Sequence, residues 1–355
     1  MRKAPACHSF ARLMYFNHVR DCGFRLLLAS KMSDENQHWV SKFLVKNFAD
    51  GDGRVYSMDI HTGEIRKPPP KYAAARAGFN EFLINGQEVS FEDHLEALET
   101  PAAPVLQRIV SSRSTGWLSM KQKACLAKFM AAQSFRTEAF YKGINVQLSR
   151  QQFGPIFSEL WRSAFIVANE IVRRQWILMV IEHDDVFYLG DHPLVLQNTE
   201  HPADAGDLGF DVKGVEAFLP LSPTCALYMP CLTTSEEIRS GYEKALLRHQ
   251  TMRSAAIRGI PFPSIRPDYL HLVQRVIGNS HPLYKAIVDG CPITAKAENV
   301  ENLNYLQCAW SHTTLYSNRK NFMFAKRVFR ENPQYRDVPR TRLELKWPSD
   351  FEQQA

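Results

Sequence analysis

The stretch VFYLGDHPLVLQ, residues 186–197, reads as two apolar runs parted by an acid, a histidine and a proline. Runs of four or five apolar residues bounded by Gly and Pro suit strands better than helices. Pro193 pushes His192 into extended backbone. Asp191 therefore stands at a break between strands, where a scaffold can hold a carboxylate firmly. Two readings of it remain open: a catalytic acid, or a turn residue accepting backbone N–H bonds. Upstream, residues 176–181 (WILMVI) form another buried-strand run, and Glu182-His183-Asp184-Asp185 is a polar turn, so a hairpin is expected across 175–189. Downstream, residues 215–219 and 226–229 are further strands around Pro220-Leu221-Ser222-Pro223. The expected sheet is mostly antiparallel, with at least four strands in 175–231. That removes the usual argument for a ligand site at the end of a parallel strand.

Around this sheet the chain is mainly helical. Asp34 or Asn36 can cap a helix over 37–48, with His38 in its first turn and Asp50-Gly51-Asp52-Gly53 as its stop. A small hairpin follows over 54–67 and ends at Pro68-Pro69-Pro70, because proline donates no ladder bond. Residues 81–84 are a short strand turned at Asn85-Gly86. A helix runs from about Ser90 to Val110, which Pro101 and Pro104 are expected to break or kink. The clearest helical pattern spans 119–141. It places Gln133 and Arg136 three apart on one face. Their isolated signal favours a structural ion pair with Glu96 or Glu99 over an anion receptor. Further helices are expected over 155–174, 235–250, 266–277 and 298–317. The whole reads as an α+β fold, helical layers around a small, mostly antiparallel sheet.

The chain of 355 residues, 45% hydrophobic, can bury a sizeable core. No window approaches 18 uncharged apolar residues, so no membrane span is expected. Six of the 43 basic residues and one of the 37 acids lie in residues 1–31, which leaves the remainder close to neutral despite the overall +6. That Arg-rich segment fits a leader or a mis-assigned start with Met32 as the natural first residue, and it is set aside. One domain is expected over 32–318, followed by a basic tail, 319–355, whose Arg319, Lys320, Lys326, Arg327 and Arg330 could meet phosphate or simply face solvent. Seven scattered cysteines with no CxxC pair fit a reducing, cytoplasmic compartment.

Several motifs occur together in order: Gln37-His38 followed by Phe43-Leu44 and Phe48, Gln133 with Arg136, Asp191-His192-Pro193, Pro220-Leu221-Ser222-Pro223, and Asn304 ahead of Tyr316-Ser317. In this order they resemble the domain-of-unknown-function 4238 family over roughly 36–318. Ser41 departs from the family pattern, which commonly has proline after the Gln-His pair. The resemblance implies a shared fold and a shared set of polar positions, and brings no settled activity.

If those positions converge, His38, Asp191 and Arg136 are the candidate catalytic residues, and Gln37, Gln133, Ser222 and Asn304 the candidate substrate-binding ones. An Asp can orient a His as general base, and an Arg can hold a phosphoryl group. That fits a hydrolase or nuclease acting on a phosphate-containing substrate, in a toxin or phage-defence setting by analogy alone. The alternative is a non-catalytic module binding nucleic acid or another anionic partner. Ser222 lacks a G-x-S-x-G elbow and reads better as a turn residue. No cofactor is expected, since neither Walker A nor GxGxxG occurs. No metal is expected either, because the spacing of His183, Asp184, Asp185 and Asp191 matches no standard site.

Overall fold

The computed structural model describes residues 36–84, 87–143, 150–200, 208–258 and 267–337. The Asn85-Gly86 turn, the leader over 1–31 and the last 18 residues lie outside them. The chain is α+β, and its two larger sheets share one hydrophobic core.

The first sheet is built from β7 (Ile177–Val180), β9 (Val195–Asn198), β10 (Val215–Ser222), β11 (Cys225–Met229) and β12 (Ile293–Thr294). Its order is β12-β7-β11-β10-β9, antiparallel except for the β12–β7 pair. Every residue of β7 and β10 is buried, which explains why β7 reads as a continuous apolar run without alternation, while the buried Glu216 of β10 is met by Gln197 and Tyr228. The second sheet contains β2 (Tyr56–Asp59), β3 (Ile65–Arg66), β8 (Leu189–Gly190) and β13 (Thr314–Ser317), in the order β3-β2-β13-β8. Two short ribbons complete the strands. One is β1 (Asn36–His38) with β4 (Ala75–Ala77), and the other is β5 (Glu81–Ile84) with β6 (Gln87–Ser90).

Three expectations are corrected here. The helix over 37–48 is a strand, β1, followed by the short α1 (Lys42–Lys46), so His38 and Gln37 lie on a ribbon edge. The hairpin across 175–189 does not form: β7 pairs with β11 and β12, while β8 pairs with β13. The last helix stops at Trp310 as α8 (Ala297–Trp310), and residues 314–317 are the inner strand β13. Helical and extended readings of a short apolar run differ little in sequence, and tertiary pairing decided between them.

The other helices lie where the sequence suggested, but two run longer than expected: 235–250 extends to Leu232–Ile257 and 266–277 to Pro267–Asp289. α2 (Glu92–Ser112) runs through Pro101 and Pro104 without a break. Both prolines are exposed, as are Ala97 and Thr100, whose carbonyls lose their helical donors, so water can satisfy them. α3 (Met120–Phe135) opens on a Ser119–Gln122 capping box. It ends earlier than its apolar pattern, because the chain breaks at Arg136-Thr137 before α4 (Glu138–Gly143). α5 (Arg150–Arg173) follows. α6 (Leu232–Ile257) and α7 (Pro267–Asp289) pack on each other, with Tyr242 stacked on Tyr284 at 4.2 Å. The segment from 319, expected as a tail, instead supplies Phe322, Ala325, Val328, Phe329 and Tyr335 to the main core through α9 (Met323–Glu331) and the turn after it.

The opening stretch is held by one face of α8. Asn304 accepts from Tyr188 N at 2.7 Å and donates to Val186 O at 2.9 Å. One turn on, Gln307 accepts from Gly190 N at 2.7 Å and donates to Pro193 O at 2.9 Å. The two amides thus act as a side-chain ladder for backbone groups that would otherwise be buried unpaired. Gly190 allows this approach: a Cβ there would collide with Ser311 Oγ and lie 2.9 Å from Gln307 Oε1. Gly190→Ala is expected to cost about 2–3 kcal/mol through overpacking, read as a lower urea midpoint. An unchanged midpoint would show that α8 yields easily.

Candidate functional site

The polar positions form two separate centres. The first gathers β1, the chain before α1, α2 and the end of α3. Arg136 is its hub and is 2% exposed. Its Nε and Nη2 donate to Gln133 Oε1 at 3.2 and 2.9 Å, Nη2 also donates to Ser41 Oγ, and Nη1 pairs with Glu99 at 2.5 Å. Gln133 Oε1 accepts from Ser41 N as well, and its Nε2 donates to Trp39 O at 2.7 Å. The break after Phe135 lets Arg136 turn inward, since a residue continuing the helix would follow its axis.

Gln37 and His38 lie on the rim of this centre. Gln37 donates to Glu81 at 2.7 Å and accepts from Asn80 N at 2.6 Å. Asn80 Nδ2 lies between Glu92 Oε1 at 2.5 Å and the His38 carbonyl at 3.5 Å. His38 is half-buried. Its Nε2 faces Pro70 O at 3.4 Å. A carbonyl only accepts, so Nε2 carries the hydrogen and Nδ1 is left with its lone pair. Nδ1 has no hydrogen-bond partner among the described residues. Burial, helped by the Arg136 charge, pulls the His38 pKa below its ordinary value. Burial pushes the Glu92 carboxyl up, against the Asn80 bond and Arg136. Both groups are thereby moved toward their neutral forms.

Asp191 belongs to the second centre. It is fully buried and accepts from His312 N at 2.8 Å, Thr313 N at 2.6 Å, Thr313 Oγ1 at 2.7 Å and Thr314 N at 3.0 Å. Burial pushes its pKa up, and these donors pull against it. Three of them are backbone N–H groups that can only donate, so the surroundings are built for a carboxylate. None of its bonds reaches His38, Arg136 or Gln133. His192, next to it, stacks on Trp310 and meets Thr137 Oγ1 at 2.7 Å through Nδ1. Burial drives its pKa down to about 3, so it is neutral. The two centres therefore stand back to back across Arg136-Thr137 and Asp191-His192.

The remaining candidates belong to neither centre. Asn304 serves the α8 ladder. Ser222 Oγ accepts from Thr224 N at 3.3 Å, within the β10–β11 turn, and meets no histidine or acid among the described residues. Sequence reasoning did not single out Asn80, Glu81, Glu92, Gln307 or Thr313, and noted Ser41 only as a departure from the family pattern. Only Gln307 carried a visible signal, one turn beyond Asn304 on the same face. No group of three His, Cys, Asp or Glu side chains placed to hold a metal ion occurs among the described residues. None of the described helices is long and apolar enough to cross a membrane.

A family model described as "Protein of unknown function (DUF4238)" matches residues 36–159 and 158–321, a span that includes both centres. No curated protein and no solved structure matches the chain.

Proposed function

The chain belongs to the DUF4238 family of proteins of unknown function, and we propose that it is a hydrolase of phosphate-containing substrates whose acid–base centre is His38 with Glu92. The observation that carries this reading is the half-buried His38 imidazole, its Nδ1 unengaged among the described residues and its backbone carbonyl linked through Asn80 Nδ2 to Glu92, whose carboxyl burial pushes up in pKa while burial pulls His38 down. Paired groups whose surroundings shift them in opposite directions from their ordinary values are how one site supplies both an acid and a base.

In the proposed step, His38 Nδ1 takes the proton of an attacking water as the new P–O bond forms. Glu92 delivers a proton to the leaving oxygen as the old P–O bond breaks. Arg136 does not receive the phosphate, because its donors are engaged by Glu99, Gln133 and Ser41. It is a positioning residue that fixes α2 against α3 and biases both titrating groups. Asp191 is not assigned a catalytic role. The second reading, a non-catalytic module for an anionic partner, is favoured by Lys42, Lys46 and Lys71, all exposed and without carboxylate partners among the described residues.

The test is turnover of bis(p-nitrophenyl) phosphate and of a mixed oligoribonucleotide. His38→Ala is expected to lower turnover by about 10²–10³-fold with an unchanged melting temperature, since the ring makes one long hydrogen bond. The pH profile should be bell-shaped, with its optimum on the acid side of neutrality. The rising limb follows loss of the His38 proton, below its ordinary 6.5. The falling limb follows loss of the Glu92 proton, above its ordinary 4.5. Equal turnover in wild type and His38→Ala would overturn the assignment. Absence of any turnover would favour the binding module.

A further inference from the structure

Among the described residues, the most exposed aromatic side chain is Tyr72, at 56%. It ends a single 3₁₀ turn, Pro70–Tyr72, whose first carbonyl is the group that His38 faces. Lys71 lies over the Tyr72 ring at 4.7 Å. The turn packs against α1. Lys42 and Lys46, one helical turn apart, share an exposed face of α1, and Lys42 is near enough to His38 to act on its charge. The next lysine along the chain, Lys67, behaves differently: Asp50 and Asp52 both pair with it at 2.6 Å. Lys42, Lys46 and Lys71 therefore form an unneutralised strip beside a presented aromatic ring.

We propose that this strip binds single-stranded nucleic acid, a base stacking on Tyr72 and phosphates following Lys71, Lys42 and Lys46 past His38. Exposed aromatics carry sequence-tolerant stacking, and lysine rows track a backbone. A duplex hides its base faces and cannot use Tyr72. The inference rests on the proposed hydrolase reading only for the direction of the strand across His38. Binding itself needs no chemistry.

The experiment measures fluorescence anisotropy of a 5′-fluorescein deoxythymidine 12-mer with full-length His38→Ala protein, so that turnover does not consume the probe. Three lysine–phosphate contacts predict a log–log salt slope of about −2, or roughly a 20-fold weakening between 50 and 200 mM salt. Tyr72→Ala is expected to weaken binding about 10-fold, and Lys42→Gln with Lys71→Gln to flatten the slope. Arg66→Gln, at an exposed ion pair with Glu64, should change neither. A duplex of the same length should bind more weakly. Equal affinity for the duplex, or no effect of the Tyr72 and lysine variants, overturns the inference. If His38-dependent turnover of small phosphodiesters persists in that case, the hydrolase reading survives alone. If the 12-mer binds as expected and wild type never cleaves nucleic acid, the inference stands and the hydrolase reading falls.

Discussion

Asp191→Asn is expected to destabilise the protein by about 3–4 kcal/mol and to lower its melting temperature by roughly 10 °C. The carboxylate accepts four hydrogen bonds, with His312 N on Oδ1 and the Thr313 and Thr314 donors on Oδ2. Asparagine offers one acceptor oxygen and one NH₂ group. Its better orientation turns the NH₂ toward His312 N, which sets donor against donor in a fully buried position. The bonds to Thr313 and Thr314 persist but lose their charge, and charge-assisted bonds are roughly twice as strong as neutral ones. Asp191→Ala removes all four acceptors and is expected to leave little soluble protein. Thermal and urea denaturation of the Asn variant provide the measurement. A variant with wild-type stability and no phosphodiester turnover would return Asp191 to the catalytic centre.

The same residue shows how much of the molecule was legible. Its place between two apolar runs was plain, and so was the option of a turn carboxylate. Its partners were not, because they are mostly backbone N–H groups 121–123 residues away. Such donors leave no mark in side-chain identity. They also lie where the pattern suggested helix through residue 317, whereas the chain leaves α8 at Trp310 and becomes a strand. The α+β class and the antiparallel sheet followed from composition and apolar runs, since burial on both faces of β7 demands such residues. Strand pairing did not follow, because β8 and β7 are close in sequence yet sit in different sheets.

Gln133 and Arg136 were legible as a pair by spacing, and Glu99 was one of two acids named as a partner. The role of Ser41 was hidden. Its hydroxyl meets Arg136, Glu99 and Gln133 together, and its backbone N–H donates to Gln133 Oε1 at 3.1 Å. A proline at this position would supply neither that N–H nor the hydroxyl. Gln133 Oε1 would then keep two of its four donors, so Ser41 contributes to the wiring of the centre without contributing charge. Glu92 was hidden for another reason. It lies within the helix start at Ser90, and its shift comes from burial, with the Asn80 bond pulling the other way, neither of which residue spacing shows.

Arg136→Met is expected to cost about 3–5 kcal/mol, the range for breaking a buried pair. Methionine matches much of the arginine stem, so the loss is mainly electrostatic. It leaves Glu99 without its cation and Gln133 Oε1 with two donors in place of four. Arg136→Lys keeps the charge but cannot reach Glu99, Gln133 and Ser41 at once, because an ammonium lacks the guanidinium fork. An intermediate loss of about 2 kcal/mol is expected. Glu99→Gln should cost least, since that side chain is 24% exposed and partly screened by water. Combining Glu99→Gln with Arg136→Met should cost less than the two separately, with a coupling of about 1 kcal/mol. Additive losses would mean that the pair does not form in solution. The pH profile supplies a readout that lost packing alone would not move. The Arg136 charge lowers the pKa of both His38 and Glu92, so removing it raises both. The bell of phosphodiester turnover should then shift to higher pH in Arg136→Met, measured at a temperature where the variant remains folded. A profile reduced in height but fixed in position would confine Arg136 to holding α2 and α3 together.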